Sequence, residues 1–338
     1  MMKAGIYYGQ NDVRVEELSM PAIGPKDVLI RNLRGGICGT DINIVKSGGN
    51  MGIRPGREFG HELFGEVVEV GAEVSGISVG MRVGVNPITA TRAGKFFSLE
   101  VGGFSQYVRI EEAELDYNLY LFSDAVTPEE AALMEPMSVG FHGAFAANPK
   151  PGEHIVVLGA GPIGLSAAAG LIGENINDVV VVDIDDWRLA KAGQLGAKTI
   201  NTRKQDLAAT LAEYFGTADY YGHPVPDVDV FVDAAGASAL FEQAFQSAKP
   251  NARFVIIAVY KQDVPLSFVE MMSKELKVIG ASGYTHEDIA RVVDHIEKKK
   301  TPITTMVTHV YPINELPKAF DTALAGKETI KVLVDLTS

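Results

Sequence analysis

Two apolar runs joined by a glycine-rich turn constrain this chain more than any other feature. Ile155-Val156-Val157-Leu158 is short and β-branched, which reads as a strand buried on both faces. Gly159-Ala160-Gly161-Pro162-Ile163-Gly164 follows, and Leu165 to Ile172 continues with helical apolar spacing. A second run, Val179 to Val182, ends on Asp183. Strand, G-x-G-x-x-G, helix, strand and an acid about 20 residues on make a βαβ unit suited to a dinucleotide. Gly159 permits the tight turn, Gly161 lets backbone approach a pyrophosphate, and Gly164 lets the helix pack on the strand. Pro162 and Ile163 open the helix, where a proline loses no hydrogen bond and the free amides face a phosphate. Asp183 would accept from both ribose hydroxyls and repel a 2′-phosphate, so NAD is expected rather than NADP.

At 338 residues the chain exceeds what one hydrophobic core usually supports, so two domains are expected. Beyond Asp183 the α/β alternation continues, with strands expected at Asp229–Val232, Arg253–Val259 and Leu276–Ile279. The stretch 150–284 therefore reads as a doubly wound, six-stranded parallel sheet. Residues 1 to about 126 instead carry short apolar strands punctuated by Gly71, Gly76, Gly80 and Gly84, the pattern of a small barrel. Thr127-Pro128-Glu129-Glu130 is a capping box, and Glu135 before Pro136 is expected at a helix break. Residues 285–338 read as a helix, then a strand–helix–strand tail that returns to the first domain, placed at 1–149. The net charge of −13 argues against nucleic acid and anionic membranes as partners. No apolar run approaches the roughly 18 residues that span a bilayer. A single cysteine, Cys38, and no signal-like apolar segment at Met1 to Tyr8 place the expectation in the cytoplasm.

Cys38, His61, Glu62 and Glu135 are the candidates for chemistry. Taken singly each has an ordinary reading: a small buried hydrophobe, a surface His–Glu pair, a helix end. Their settings say more. Gly60-His61-Glu62-x-x-Gly65-x5-Gly71, Gly36-Ile37-Cys38-Gly39-Thr40-Asp41, Gly103 to Val108, Glu135-Pro136-x-Ser138-Val139-Gly140 and the nucleotide turn follow one another in an order that resembles the zinc-containing medium-chain alcohol dehydrogenases. Glu135-Pro136-Met137-Ser138-Val139 is most similar to their sorbitol (polyol) and 2,3-butanediol branch.

The resemblance implies a GroES-like, mostly-β catalytic domain beside a Rossmann coenzyme domain, an α/β protein overall. It implies one catalytic zinc held by Cys38, His61 and Glu62, with Glu135 either completing the shell or hydrogen-bonding a bound water. With one cysteine in the chain, a Cys-His-carboxylate set is the zinc site of this kind that remains available. Zinc lowers the pKa of a bound hydroxyl, Thr40 would carry the proton away, and NAD would take the hydride. Arg188 is expected near the adenosine ribose. The substrate is expected to be a small alcohol, polyol or vicinal diol, and the assembly a homodimer or homotetramer built through the apolar edge at Leu276–Ile279.

Three departures bear on the reading. The four clustered cysteines of a second, structural zinc are missing from the stretch Ile88 to Phe97. Asn43 stands where the family often has a relay histidine. Gly283, in Gly280-Ala281-Ser282-Gly283-Tyr284, replaces an arginine with which polyol dehydrogenases bind substrate hydroxyls. His142 reads as packed or capping, His223 as part of an extra exposed loop, Trp187 as partly buried on a helix, and Lys298 to Lys300 as a solvated helix end. Two rivals stand beside the dehydrogenase: a zinc-free quinone-reductase-like relative, which would lack Cys38, His61 and Glu62, and a nucleotide-binding protein without turnover.

Overall fold

The computed structural model describes residues 1–48, 53–90 and 99–338, so Thr91 to Phe97 of the cysteine-free stretch lie outside the described residues. The chain forms two compact units: residues 1–136, 289–298 and 307–338 in one, residues 137–288 and 299–306 in the other.

The second unit carries six parallel strands in the order Lys198–Asn201, Val179–Asp183, Ile155–Leu158, Val230–Asp233, Arg253–Ile256, Lys277–Gly280. This is the doubly wound sheet expected, with the order reversing between Ile155–Leu158 and Val230–Asp233. Ile155 to Leu158 and Val179 to Val182 are buried on both faces, which is why they are continuous apolar runs rather than alternating ones. Phe231 and Phe254 stack 4.7 Å apart between neighbouring strands. Each such fully buried side chain is worth about 1.5–3 kcal/mol of apolar transfer. The helix Pro162–Gly173 packs so closely on the strand end that a Cβ on Gly164 would fall 1.9 Å from Gly159 O, and only glycine fits there.

Two expectations in this unit need correcting. The fifth strand ends at Ile256, not Val259, and Val259 is exposed. The expected extra loop around His223 is a β-hairpin, Thr217–Tyr220 with His223–Pro226, turned through Tyr221 and Gly222 at φ 50 and 81. Both turn residues lie at positive φ, as tight hairpin turns require.

In the first unit the long strand Val28–Gly36 is the organiser. It pairs antiparallel with Glu62–Val70, with Tyr107–Ile110 along its first half and with Lys331–Asp335 at its end. Lys331–Asp335 in turn pairs parallel with Val307–Pro312, the helix Leu316–Ala325 lying between them in sequence. The register sets Gly36 opposite both Glu62 and Leu333. A Cβ on Gly36 would lie 2.0 Å from Glu62 Oε2, so the glycine vacates space that the carboxylate fills. Phe59, Phe104 and Phe320 form a buried aromatic cluster behind this corner, with Phe59 and Phe104 edge-on at 4.9 Å.

Thr127 and Glu130 make the capping box, Thr127 Oγ1 accepting from Glu130 N at 3.2 Å and Glu130 Oε2 from Thr127 N at 2.8 Å. The break expected at Glu135 falls earlier. The first helix is Pro128–Ala131, and the next, Met134–Ala146, already contains Glu135 and Pro136 in its first turn. A proline there removes no helical hydrogen bond, so it begins the helix instead of ending one. Among the described residues, no helix is long and apolar enough to cross a membrane.

Candidate metal and coenzyme sites

Where the strand Val28–Gly36 ends, Ile37 N binds Val332 O at 3.0 Å and Cys38 becomes the N-cap of the helix Gly39–Ser47. That position sets Cys38 at the positive end of a helix dipole. Asp41, one turn on and fully buried, accepts from Cys38 N through Oδ2 at 2.9 Å. Its Oδ1 lies 3.5 Å from His61 Nδ1, long for a hydrogen bond but short for opposite charges. One carboxylate therefore holds the loop bearing the thiol and also faces the imidazole ring.

Glu62 opens the strand Glu62–Val70, His61 immediately precedes it, and both are buried. Ligand atoms of Cys38, His61 and Glu62 all lie within 4.8 Å of one another. Thiol, imidazole and carboxylate at that spacing are a donor set suited to zinc. Burial lowers the His61 pKa, but Asp41 and Cys38 outweigh it and hold the ring protonated well above the ordinary histidine range. The pocket of anions that does this is equally suited to a divalent cation.

Glu62 is also tied elsewhere. Lys331 Nζ donates to Glu62 Oε1 and Oε2 at 2.7 Å each and to Ile37 O at 3.2 Å, with lysine and carboxylate both buried. Burial lowers the Lys331 pKa, yet Glu62 first and then Cys38 raise it above the usual lysine value, with a smaller contribution from Glu135. Glu135, half-buried in the first turn of its helix, is thus within electrostatic reach of Lys331 but outside the three-residue cluster. Thr40 is half-buried on the helix that Cys38 caps, and Asn43, further along it, is exposed.

In the other unit Gly159 adopts φ 103, and its N donates to Val182 O at 2.7 Å. Gly161 is the N-cap and Pro162 the first residue of the following helix. Asp183 Oδ2 accepts from Ala160 N at 2.7 Å, while Oδ1 accepts from Ile184 N and Asp185 N at 2.7 and 3.0 Å. These bonds aim the carboxylate across the glycine turn. Arg188 Nη1 lies 3.9 Å from where a Cβ on Gly161 would sit, so its guanidinium borders the same turn.

Two family models match, the alcohol dehydrogenase GroES-like domain over residues 24–116 and the zinc-binding dehydrogenase over residues 162–298. Sorbitol dehydrogenase of Bacillus subtilis (strain 168) is 30% identical, covering 98% of this chain and 97% of its own. The chain belongs to the zinc-containing medium-chain alcohol dehydrogenase family. Within it the polyol and butanediol branch is the one matched. The (R,R)-butanediol dehydrogenase of the same bacterium is 30% identical over 98% of this chain and 99% of its own. A crystal structure of Bacillus subtilis 2R,3R-butanediol dehydrogenase superposes with a TM-score of 0.87 at 28% identity, covering 99% of each chain. The chain is accordingly a zinc- and NAD-dependent oxidoreductase of secondary alcohols, polyols or vicinal diols.

In this dehydrogenase several polar and aromatic side chains have identifiable partners. Asp185 and Asp186 do not stand beside Asp183 as free carboxylates: Asp185 Oδ1 caps its helix through Trp187 N at 2.9 Å, and Asp186 pairs with Lys204 and with Asn201 Nδ2. His142 Nδ1 bonds Asp288 Oδ2 at 2.9 Å, and Lys300 pairs with Glu174 at 2.7 Å. Trp187 is partly buried, with Lys191 Nζ 5.1 Å above its ring.

Two residues went unassigned from sequence. Asp41 carried a usable signal, since an acid three residues after an N-cap is the reciprocal half of a capping box. Lys331 carried a fainter one. It interrupts the buried run Ile330 to Val334, and a lysine there needs a buried partner. Nothing local in the sequence points to Glu62 as that partner.

Proposed function

We propose that this enzyme oxidises short vicinal diols, or reduces the matching hydroxyketones, in preference to six-carbon polyols. The observation that carries the reading is Gly283, at φ 65 just beyond the strand Lys277–Gly280. An arginine would be strained in that conformation, and glycine offers no fork of donors to a chain of hydroxyls. The run Gly283-Tyr284-Thr285 resembles the butanediol dehydrogenases more than the sorbitol ones and supports the same choice. With NAD, kcat/KM for 2,3-butanediol should exceed that for sorbitol, and NAD should be strongly preferred to NADP. A clear preference for sorbitol would overturn the size argument alone, and equal use of NADP would remove the role given to Asp183.

The site roles that go with this reading are these. Cys38, His61 and Glu62 are the metal donors, with Glu135 completing the set directly or through water; the buried, anion-rich corner around Asp41 supports the choice. Bound zinc supplies Lewis acidity toward the substrate oxygen, and bound NAD supplies the hydride acceptor. Thr40 Oγ1 accepts the proton of the substrate hydroxyl while its own hydroxyl proton passes toward the coenzyme ribose, and because Asn43 cannot titrate the last transfer uses water or another group. Gly159, Gly161, Pro162, Ile163 and Gly164 cradle the pyrophosphate, Asp183 takes the ribose hydroxyls, and Arg188 borders the adenosine. We place the catalytic part at 1–149, the coenzyme part at 150–284 and the returning segment at 285–338.

The enzyme works in the cytoplasm as a homodimer or homotetramer. The strand Lys277–Gly280 ends the six-stranded sheet in the chain described, and Phe268, Val269 and Met272 just before it are exposed. Such an edge is self-complementary across a two-fold axis. Light scattering at micromolar concentration should give a multiple of 36.2 kDa, and a monomer mass would refute the assembly.

A further inference from the structure

Asp233 is a buried carboxylate, 1% exposed, with no part in the assignments above. It ends the strand Val230–Asp233, on the far side of Ile155–Leu158 from Val179–Asp183, and so stands where the strand order reverses. In a doubly wound sheet the dinucleotide lies across that point, outside the carboxyl ends of the strands.

The residue ties two segments together. Its main-chain oxygen accepts from Ile257 N and Ala258 N, both at 3.0 Å. Its Oδ1 accepts from Ala235 N at 3.0 Å and Gly236 N at 3.2 Å, and its Oδ2 accepts from the Tyr260 hydroxyl. Burial first, and then that bond, push the Tyr260 hydroxyl far above the usual phenol range, so it remains a donor at every working pH. The tied segments are also in contact: a Cβ on Gly236 would sit 3.2 Å from Val259 O. The turn held in this way borders the coenzyme cradle, since a Cβ on Gly159 would sit 3.1 Å from Ala235 Cα and N.

We infer that Asp233 and Tyr260 form a clamp that holds the 234–236 turn and the 257–260 segment in the shape that receives NAD, with Tyr260 a positioning residue acting through Asp233. The inference rests on the placement of NAD along Gly159 to Gly164. A rim ordered before binding spares the coenzyme the cost of ordering it. Tyr260→Phe removes one hydroxyl and keeps the ring, which lies edge-on to Phe241 at 6.5 Å.

The test is a fluorescence titration of the zinc-loaded enzyme with NADH, alongside steady-state kinetics and a melting curve. Tyr260→Phe should raise Kd for NADH and KM for NAD about tenfold while kcat at saturating NAD changes less than about twofold. Asp233→Asn keeps an acceptor for the two amides and a polar partner for Tyr260, and should raise Kd less. A merely structural pair would lower the melting temperature and leave Kd unchanged, and that result in either variant that folds overturns the inference. Failure of the native enzyme to bind NADH would overturn the coenzyme placement itself, and the clamp with it.

Discussion

Replacing Cys38 by serine should remove the metal and the turnover together. Elemental analysis of the native enzyme should find about one zinc per chain, and the variant close to none. kcat/KM should fall at least about a thousandfold, the rate equivalent of the several kcal/mol that a Lewis-acid metal supplies. A serine hydroxyl is a hard, neutral donor that does not replace a thiolate, and no other cysteine exists to take its place. The fold should survive. Cys38 is an N-cap, serine is a preferred N-cap, and Asp41 would still bind the backbone amide of residue 38. A melting curve near native therefore separates loss of metal from loss of structure. Two zinc equivalents in the native chain, or a variant that keeps zinc and rate, would contradict the single site.

Lys331→Met should be the most destabilising single change near that site. It leaves Glu62 buried without its cation, and breaking a buried pair in this way costs about 3–5 kcal/mol. Denaturant unfolding of metal-stripped protein should show that loss, and Lys331→Met combined with Glu62→Gln should recover most of it, since the uncompensated charge is gone. The folded-state pKa of Lys331 is raised, so its contribution is fully present below the ordinary lysine range and disappears only as pH climbs through the higher folded value. Measurements near neutral pH thus read the whole effect. Zinc loading should shrink the loss if Glu62 coordinates the metal and leave it unchanged if Glu62 only faces it. A loss under roughly 1 kcal/mol in stripped protein, the scale of an exposed pair, would refute the buried-pair account.

The coenzyme unit was legible because its physics is local. Parallel strands covered on both faces must be apolar throughout, so Val179 to Val182 could hardly be anything else. The glycine turn announces itself for a similar reason, since Gly164 answers to a contact five residues away. The hairpin at 217–226 was less visible, because Tyr221 takes a positive φ that glycine or asparagine usually signals. Glu135-Pro136 misled because a proline ends helices and begins them equally well. At the proposed metal site the individual candidate donors stood out by motif, while Lys331 did not. Its partner is 269 residues away, and no period or spacing links positions that far apart.

That separation between Glu62 and Lys331 also orders events during synthesis. The thiol, the imidazole and the carboxylate of the proposed donor set leave the ribosome within 25 positions of one another, from Cys38 to Glu62. The cation that balances the carboxylate follows only after the entire coenzyme unit and the helix Leu316–Ala325 have been made. A nascent chain stopped anywhere in between holds the three proposed donors, one of them a carboxylate with no counter-charge, an arrangement open to any divalent ion that arrives first. The strand Lys331–Asp335 is therefore the step that turns a loose chelator into a charge-balanced site, and it arrives 269 positions after the carboxylate it serves.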